Sequence, residues 1–151
     1  MPLYTAKNLR QGRFSEHGRI HLVTTVIQHR EAIFRDWQTA RGLIEALKLE
    51  HDDGIAESNA WVIMPDHLHW LVQLRAGTLG DLLRRIKAHS SHSINRHLGR
   101  SGPLWQKGYH DRALRKEDDI KVAARYIIAN PLRAGLVKHI GDYPLWDAKW
   151  L

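Results

Sequence analysis

Two apolar runs separated by one short turn constrain this fold more than any other part of the chain. Residues 61–64 (WVIM) and 67–74 (HLHWLVQL) have the β-branched and aromatic composition of strands, and Pro65 lies between them. Proline has no backbone N–H and a fixed φ, so it suits a turn or a strand edge better than the middle of a sheet. Because the connection is so short, the two strands are predicted to pair antiparallel.

The other segments alternate between strands and helices. A strand is predicted over 20–27 and a helix over about 36–50; a long helix begins after Thr78, a loop over 104–115 leads into a strand, and a last helix covers 117–129. Elements in this order, with a hairpin in the middle, predict an α+β sandwich in which an antiparallel sheet has its helices packed on one face.

Size and composition predict a single domain over residues 1–151, with 1–12 as a loose N-terminus. The chain is 43% hydrophobic, which is enough for one core at this length. It contains no cysteine, which excludes disulfide scaffolds, thiolate metal sites and cysteine nucleophiles. No apolar run approaches the roughly 18 residues of a membrane span, and no signal-peptide pattern is present, so a soluble cytoplasmic protein with no membrane partner is expected.

Positive charge is concentrated in the centre of the chain. The net charge is +7, and the segment 75–115 alone has nine basic and two acidic residues. Such a concentration favours a polyanionic partner, because it attracts phosphate backbones. The basic residues that we predict to contact such a phosphate backbone are Arg84, Arg85, Arg96, Lys107 and Arg112.

The motif Asp66-His67-Leu68-His69 is the sharpest local feature. Side chains alternate along a strand, so His67 and His69 are predicted to share one face, close enough to bind one cation, while Leu68 points into the core. In a chain with 11 histidines, the motif alone favours two histidines on a polar face over a metal site.

A second pair lies on the last predicted helix. Tyr126 and Asn130 are spaced i, i+4 and so share a helix face, and neither belongs to the apolar stripe. That stripe consists of Ile120, Ala123, Ala124, Ile127 and Ile128. Pro131 is expected to end the helix at Asn130. The alternative is a surface tyrosine followed by a helix-ending asparagine.

Three separated segments together resemble the REP-associated tyrosine transposases, a branch of the single-tyrosine HUH transposases. They are WVIMPDHLHWLVQL (61–74), LWQKGYHDRALRKEDDI (104–120) and ARYIIANPLRAGLV (124–137), preceded by a strand that contains His21. The resemblance extends from about Phe14 to Trp146. It implies a ferredoxin-like α+β sandwich, which agrees with the predicted order of elements.

The resemblance also implies roles for individual residues. His67 and His69 match the metal-binding histidine pair, Tyr126 matches the nucleophile, and Asn130 matches the position whose amide oxygen completes the metal site. A mixed nitrogen and oxygen site with open positions favours Mg²⁺ or Mn²⁺ over a closed zinc site. Asp66 stands where many relatives have Asn. Trp105 and Tyr109 are candidates to stack on exposed bases, with a place in the core as the alternative for each.

The function implied is cleavage and joining of single-stranded DNA at REP-type hairpins through a 5′-phosphotyrosine intermediate. A bacterial, nucleoid-associated location and a monomer in preference to a homodimer are expected with it. Two other functions stay open at this point. One is a DNA-hairpin-binding protein of the same fold that performs no chemistry, and the other is a small metal hydrolase that uses the two histidines and a water nucleophile.

Overall fold

A five-stranded antiparallel sheet forms the centre of the computed structural model, which describes residues 19–149. The expected loose segment 1–12 lies outside the described residues. The strands are β1 (Ile20–Val26), β2 (Ala56–Met64), β3 (His67–Leu74), β4 (His110–Leu114) and β5 (Trp146–Ala148), and their order in the sheet is β4-β1-β3-β2-β5. The helices are α1 (Trp37–Asp52), α2 (Leu79–Leu98), α3 (Glu117–Ile128) and the short α4 (Asn130–Arg133).

The predicted hairpin is present and supplies the central strand of the sheet. β2 and β3 pair antiparallel from Met64 opposite His67, with Pro65 and Asp66 in the turn. β3 pairs on its other side with β1, also antiparallel. The side chains of Leu68 and Trp70 are fully buried, so the apolar residues of β3 anchor the two histidines in the middle of the sheet.

Helices cover both faces of the sheet, whereas the sequence predicted them on one face. Leu68 and Trp70 belong to the core that α1 and α2 complete. The side chain of Leu71 points to the other face of the same strand, where it belongs to a second core with Ile127 of α3. The α+β sandwich and its antiparallel sheet are confirmed, and the position of α3 is corrected. The physical reason is that β3 has apolar side chains on both faces, each of which must be buried.

The helix boundaries follow local capping, with two differences from the sequence prediction. The Thr78 side chain accepts a hydrogen bond from the Asp81 N–H at 3.1 Å, as predicted for the start of α2. α2 ends before Gly99, which adopts a left-handed φ of 66°, rather than at 101–103. α3 ends at Ile128, and Asn130 begins α4 instead of leaving the helical region, because proline is tolerated in the first turn of a helix.

Within residues 19–149, no helix combines the length and apolarity needed to span a membrane.

Candidate active site

The two histidines of β3 face each other on the side of the sheet that α3 covers. Their Nε2 atoms are 3.1 Å apart, and the rings meet edge to face at 88°. Leu68 between them points to the opposite core, as the alternation predicted. Two nitrogens bound to one cation at about 2.1 Å lie at most about 4.2 Å apart, so this separation allows both histidines to bind the same ion.

Hydrogen bonds at the outer nitrogens fix both rings. His67 Nδ1 lies 2.6 Å from Asp66 Oδ1; an ionised carboxylate only accepts, so the imidazole N–H is the donor. His69 Nδ1 lies 2.8 Å from the Thr24 hydroxyl, which can donate or accept and therefore permits either tautomer. With Nδ1 engaged in this way, Nε2 of each ring is left for a ligand, as is usual for metal-binding histidines.

Arg30 extends this set of hydrogen bonds. Its Nε donates to Asp66 Oδ2 at 3.0 Å. Burial acts to raise the pKa of Asp66, but the hydrogen bond from His67 and the positive charges of His67 and Arg30 outweigh it, so the pKa lies below its usual value. Asp66 is therefore a carboxylate that holds His67 in place.

His69 stays neutral at physiological pH. Burial lowers its pKa to about 4, and the positive charges of His67 and Arg133 act in the same direction. A neutral imidazole is the form that binds a metal ion.

Tyr126, Asn130 and Arg133 form the second half of the site. The Tyr126 side chain is 60% exposed, in agreement with its position off the apolar stripe. The Arg133 guanidinium lies 3.8 Å from the centre of the Tyr126 ring, and its Nη2 donates to the Tyr126 carbonyl oxygen at 2.6 Å and to Asn130 Oδ1. Arg133 thus contacts both of the residues predicted on this helix face.

Sequence reasoning missed Arg133, although a signal for it exists. It follows Asn130 by three residues and Tyr126 by seven, a spacing that keeps all three on one face of a continuous helix. The expectation that Pro131 ends the helix concealed that relation. In the structure Ala129 keeps helical backbone angles, so α3 and α4 present these residues together.

The two halves lie on the same side of the sheet. α3 packs against β2, β3 and β4, and α4 against β2, the neighbour of the histidine strand. Arg133 is near enough to His69 to lower its pKa. No group of three His, Asp, Glu or Cys side chains that could hold a metal occurs in the described part of the chain, so ligands beyond the histidine pair would come from Asn130, DNA or water.

The chemistry of the predicted ligands would suit a divalent cation. They offer two imidazole nitrogens and one amide oxygen, and such a mixed set with open positions suits Mg²⁺ or Mn²⁺. Asn130 Nδ2 is buried and has no hydrogen-bond partner among the described residues. This orphaned donor next to the predicted ligand atom indicates a site whose polar contacts are completed by another molecule.

The predicted DNA-contacting residues do not form one patch. Arg84 and Lys107 line a groove on α2 together with Trp105 and Tyr109. Arg112 lies apart from them, exposed on β4 at the edge of the sheet.

The other two predicted contacts are also separate from that groove. Arg85 donates to the buried carboxylate of Glu50 at 2.8 Å and lies 3.8 Å from Asp53, an ion pair that joins α2 to α1. Arg96 is exposed near the end of α2.

Residues 15–130 match the family model described as "Transposase IS200 like", and this chain belongs to that family.

Two curated relatives carry more specific names. The chain is 31% identical over 90 residues to the REP-associated tyrosine transposase of Escherichia coli (strain K12), a match that covers 58% of this chain and 52% of the relative. It is 27% identical over 99 residues to the putative REP-associated tyrosine transposase of Haemophilus influenzae (strain ATCC 51907 / DSM 11121 / KW20 / Rd), over 58% and 56% of the two chains. The match spans about half the length of these curated relatives.

Solved structures show the same fold. A structure of a REP-associated tyrosine transposase bound to a REP hairpin superposes with a TM-score of 0.74 at 25% identity, over 97% of this chain and 82% of that one. A putative transposase from Deinococcus radiodurans has a TM-score of 0.57 at 21% identity, over 77% and 93% of the chains, and supports the fold alone. The resemblance to the REP-associated tyrosine transposases is confirmed.

Proposed function

We propose that this protein is a divalent-metal-dependent endonuclease and strand transferase that acts on single-stranded DNA at REP-type hairpins through a 5′-phosphotyrosine intermediate. The observation that carries the proposal is the facing pair of His67 and His69 nitrogens on the same side of the sheet as the Tyr126, Asn130 and Arg133 cluster. The names of the relatives support the substrate class. We further propose a monomer located in the bacterial cytoplasm at the nucleoid.

The metal would be held by His67, His69 and Asn130. When bound, it supplies Lewis-acid polarisation of the scissile phosphate and neutralises charge that develops on the leaving oxygen. Asp66 and Thr24 keep the two imidazoles oriented toward it.

Tyr126 acts as the nucleophile. A phenol with a pKa near 10 is a poor nucleophile at neutral pH and has to be held in line with the phosphorus atom. Arg133 restricts the Tyr126 ring by lying over it. A bond forms between the phenol oxygen and phosphorus, the bond from phosphorus to the 3′ oxygen breaks, the phenol proton leaves to solvent and the 3′ oxygen takes up a proton. The reverse attack by a 3′-OH joins strands, so no nucleotide cofactor is consumed.

The direct test is formation of a covalent protein–DNA product. The purified protein is incubated with a panel of labelled single-stranded palindromes and Mn²⁺ or Mg²⁺ and run on a denaturing protein gel. We expect a labelled protein band that disappears when a chelator replaces the metal. Hairpin binding without a band under any metal condition would favour the DNA-binding protein that performs no chemistry. A band of equal intensity with chelator would overturn the metal requirement.

Arg133→Ala is expected to have opposite effects on metal binding and on cleavage. Arg133 donates to the Asn130 oxygen that we propose as a metal ligand, so its removal should strengthen Mn²⁺ binding. The same change removes the cation–π contact with the Tyr126 ring and should slow cleavage about fivefold, the effect of losing about 1 kcal/mol. Mn²⁺ titration by electron paramagnetic resonance and single-turnover cleavage measure the two effects.

Arg125→Ala is the matched control, since it removes an exposed arginine from α3, the helix that carries Tyr126. It should leave both measurements unchanged. Weaker Mn²⁺ binding by Arg133→Ala would show that Arg133 supports the metal site instead of competing for Asn130.

A further inference from the structure

A tight turn at His29 and Arg30 lies beside the hairpin that carries the histidine pair. Both residues of the turn have a left-handed backbone, with φ of 60° and 53°. Residues with a Cβ rarely adopt this conformation, and they usually do so one at a time. Backbone strain of this kind persists where neighbouring contacts enforce it, and it is concentrated at functional sites. The turn is therefore a candidate for a role in the active site.

The loop that contains this turn is anchored against the hairpin at both ends. The Ile27 N–H donates to the Asp66 carbonyl oxygen at 2.9 Å, and the Phe34 N–H donates to the Pro65 carbonyl oxygen at 3.0 Å. The side chains of Ile27 and Phe34 are each 1% exposed, whereas residues 29–32 between them are exposed. An exposed loop is thus held at two points against the connection between β2 and β3.

Side chains fix the loop between these two anchors. Arg30 Nε donates to Asp66 Oδ2 at 3.0 Å, and Arg100 Nη1 donates to Glu31 Oε1 at 2.9 Å. The Arg30 N–H donates to the Ile27 carbonyl oxygen at 2.9 Å, which closes the turn. Together these contacts enforce the left-handed backbone at Arg30 and keep its guanidinium on the Asp66 carboxylate.

Folding stability does not explain the bond between Arg30 and Asp66. The Arg30 side chain is 62% exposed, and an ion pair with an exposed member contributes little to stability because water screens it. A strained turn that is maintained for so small a gain indicates another role. The second oxygen of the same carboxylate indicates which role this is, because Asp66 Oδ1 lies 2.6 Å from His67 Nδ1.

Arg30 and His67 therefore bind different oxygens of one carboxylate. The carboxylate of an aspartate rotates over a broad range about its bond to Cβ, and a single hydrogen bond leaves part of that freedom. The second bond, from Arg30, fixes the plane of the group, so that Oδ1 stays in place to accept the proton of His67 Nδ1. A neutral imidazole has only one such proton. Nε2 of His67, which faces His69 Nε2 at 3.1 Å, is then left without it.

We propose that Arg30 is a positioning residue of the active site. It acts through Asp66 to hold His67 in the tautomer whose Nε2 is free to bind the metal, and the left-handed turn at His29 and Arg30 places it there. The inference rests on the proposed function for the role of His67 Nε2 as a metal ligand.

The test measures the His67 tautomer and Mn²⁺ binding separately, in the full chain without DNA. With isotope-labelled histidine and no added metal, nuclear magnetic resonance at a fixed neutral pH should show the proton of neutral His67 on Nδ1. Arg30→Ala should give a mixture of the two tautomers, because the Asp66 carboxylate is free to rotate. It should also weaken Mn²⁺ binding about tenfold by electron paramagnetic resonance, the lower end of the usual effect for outer partners of a metal-binding histidine.

Arg35→Ala is the matched control, because it removes the exposed arginine that directly follows Phe34. It should leave the tautomer and Mn²⁺ binding unchanged. If Arg35→Ala weakens Mn²⁺ binding as much as Arg30→Ala does, positive charge near the site is what matters, and the proposal is overturned.

A double variant tests whether Arg30 acts through Asp66. Asp66→Asn leaves one acceptor oxygen where the carboxylate offers two, so Arg30 and His67 no longer each have their own. In that background Arg30→Ala should have no further effect on Mn²⁺ binding. An equal loss with and without Asp66→Asn, or an unchanged His67 tautomer in Arg30→Ala, would contradict the positioning role.

The covalent-product assay separates this inference from the proposed function. A mixture of His67 tautomers in Arg30→Ala, with no covalent product from the unmodified protein, keeps the role of Arg30 and removes the enzyme. A covalent product from the unmodified protein, with tautomer and Mn²⁺ binding unchanged in Arg30→Ala, keeps the enzyme and removes the role of Arg30.

Discussion

Tyr126→Phe should eliminate the covalent protein–DNA product, a loss of at least about 10³-fold, while hairpin affinity stays within about twofold. The substitution removes only the attacking oxygen. The ring remains beneath the Arg133 guanidinium, which lies 3.8 Å from its centre, so the position of the helix face is preserved. Denaturing gels with labelled DNA and equilibrium binding on the same preparations measure the two quantities.

Tyr143→Phe is the matched control for this prediction. Tyr143 is half-buried, its hydroxyl donates to the Ile63 carbonyl at 2.6 Å, and burial raises its pKa to about 12. Its loss should cost about 1 kcal/mol of folding stability and leave the covalent product intact. A labelled band from Tyr126→Phe would assign the nucleophile elsewhere. Cleavage without a band in that variant would favour the metal hydrolase with a water nucleophile.

The parts of the structure that follow from local physics could be predicted from the sequence. The short connection at Pro65 predicts the hairpin, the alternation of a strand places His67 and His69 together, and the apolar stripe of α3 leaves Tyr126 outside the core. Each of these inferences needs only residues within one element or in two adjacent ones.

The parts of the structure that depend on long-range contacts could not be predicted from the sequence. β5 is a three-residue edge strand that pairs with β2, far earlier in the chain. The pairing of Arg85 with Glu50 joins residues 35 positions apart and forms an ion pair between helices that no local pattern predicts; the predicted DNA contact of Arg85 stays a prediction. The face on which α3 packs depends on which side of the sheet α1 and α2 already cover, and no pattern within α3 specifies that.

The role of Arg133 depends on both a local and a longer-range feature of the chain. Its spacing from Tyr126 and Asn130 is a local signal, but it carries information only if the helix continues past Pro131. The structure shows a second helical turn there, because a proline within the first turn of a new helix removes no intrahelical hydrogen bond. A rule that treats proline as the end of a helix therefore conceals the residue that contacts both Tyr126 and Asn130.

His69→Ala should abolish high-affinity Mn²⁺ binding and reduce cleavage by at least about 10²-fold, with hairpin binding retained. Burial lowers the pKa of His69 to about 4, which keeps the imidazole neutral over the pH range in which the metal would bind. Without it, His67 remains as a single nitrogen ligand with Asn130, and the chelate is lost. Mn²⁺ titration of the protein alone, followed by electron paramagnetic resonance, measures binding without relying on activity.

Two further variants make this prediction specific to the site. Thr24→Val removes the hydrogen bond to His69 Nδ1 and should weaken Mn²⁺ binding about 10- to 100-fold, the usual cost of losing an outer partner of a metal-binding histidine. His89→Ala removes an exposed histidine from α2 and should leave Mn²⁺ binding unchanged. If His69→Ala and His89→Ala bind Mn²⁺ equally well, the histidine pair is not the metal site, and the facing nitrogens serve only to order the middle of the sheet.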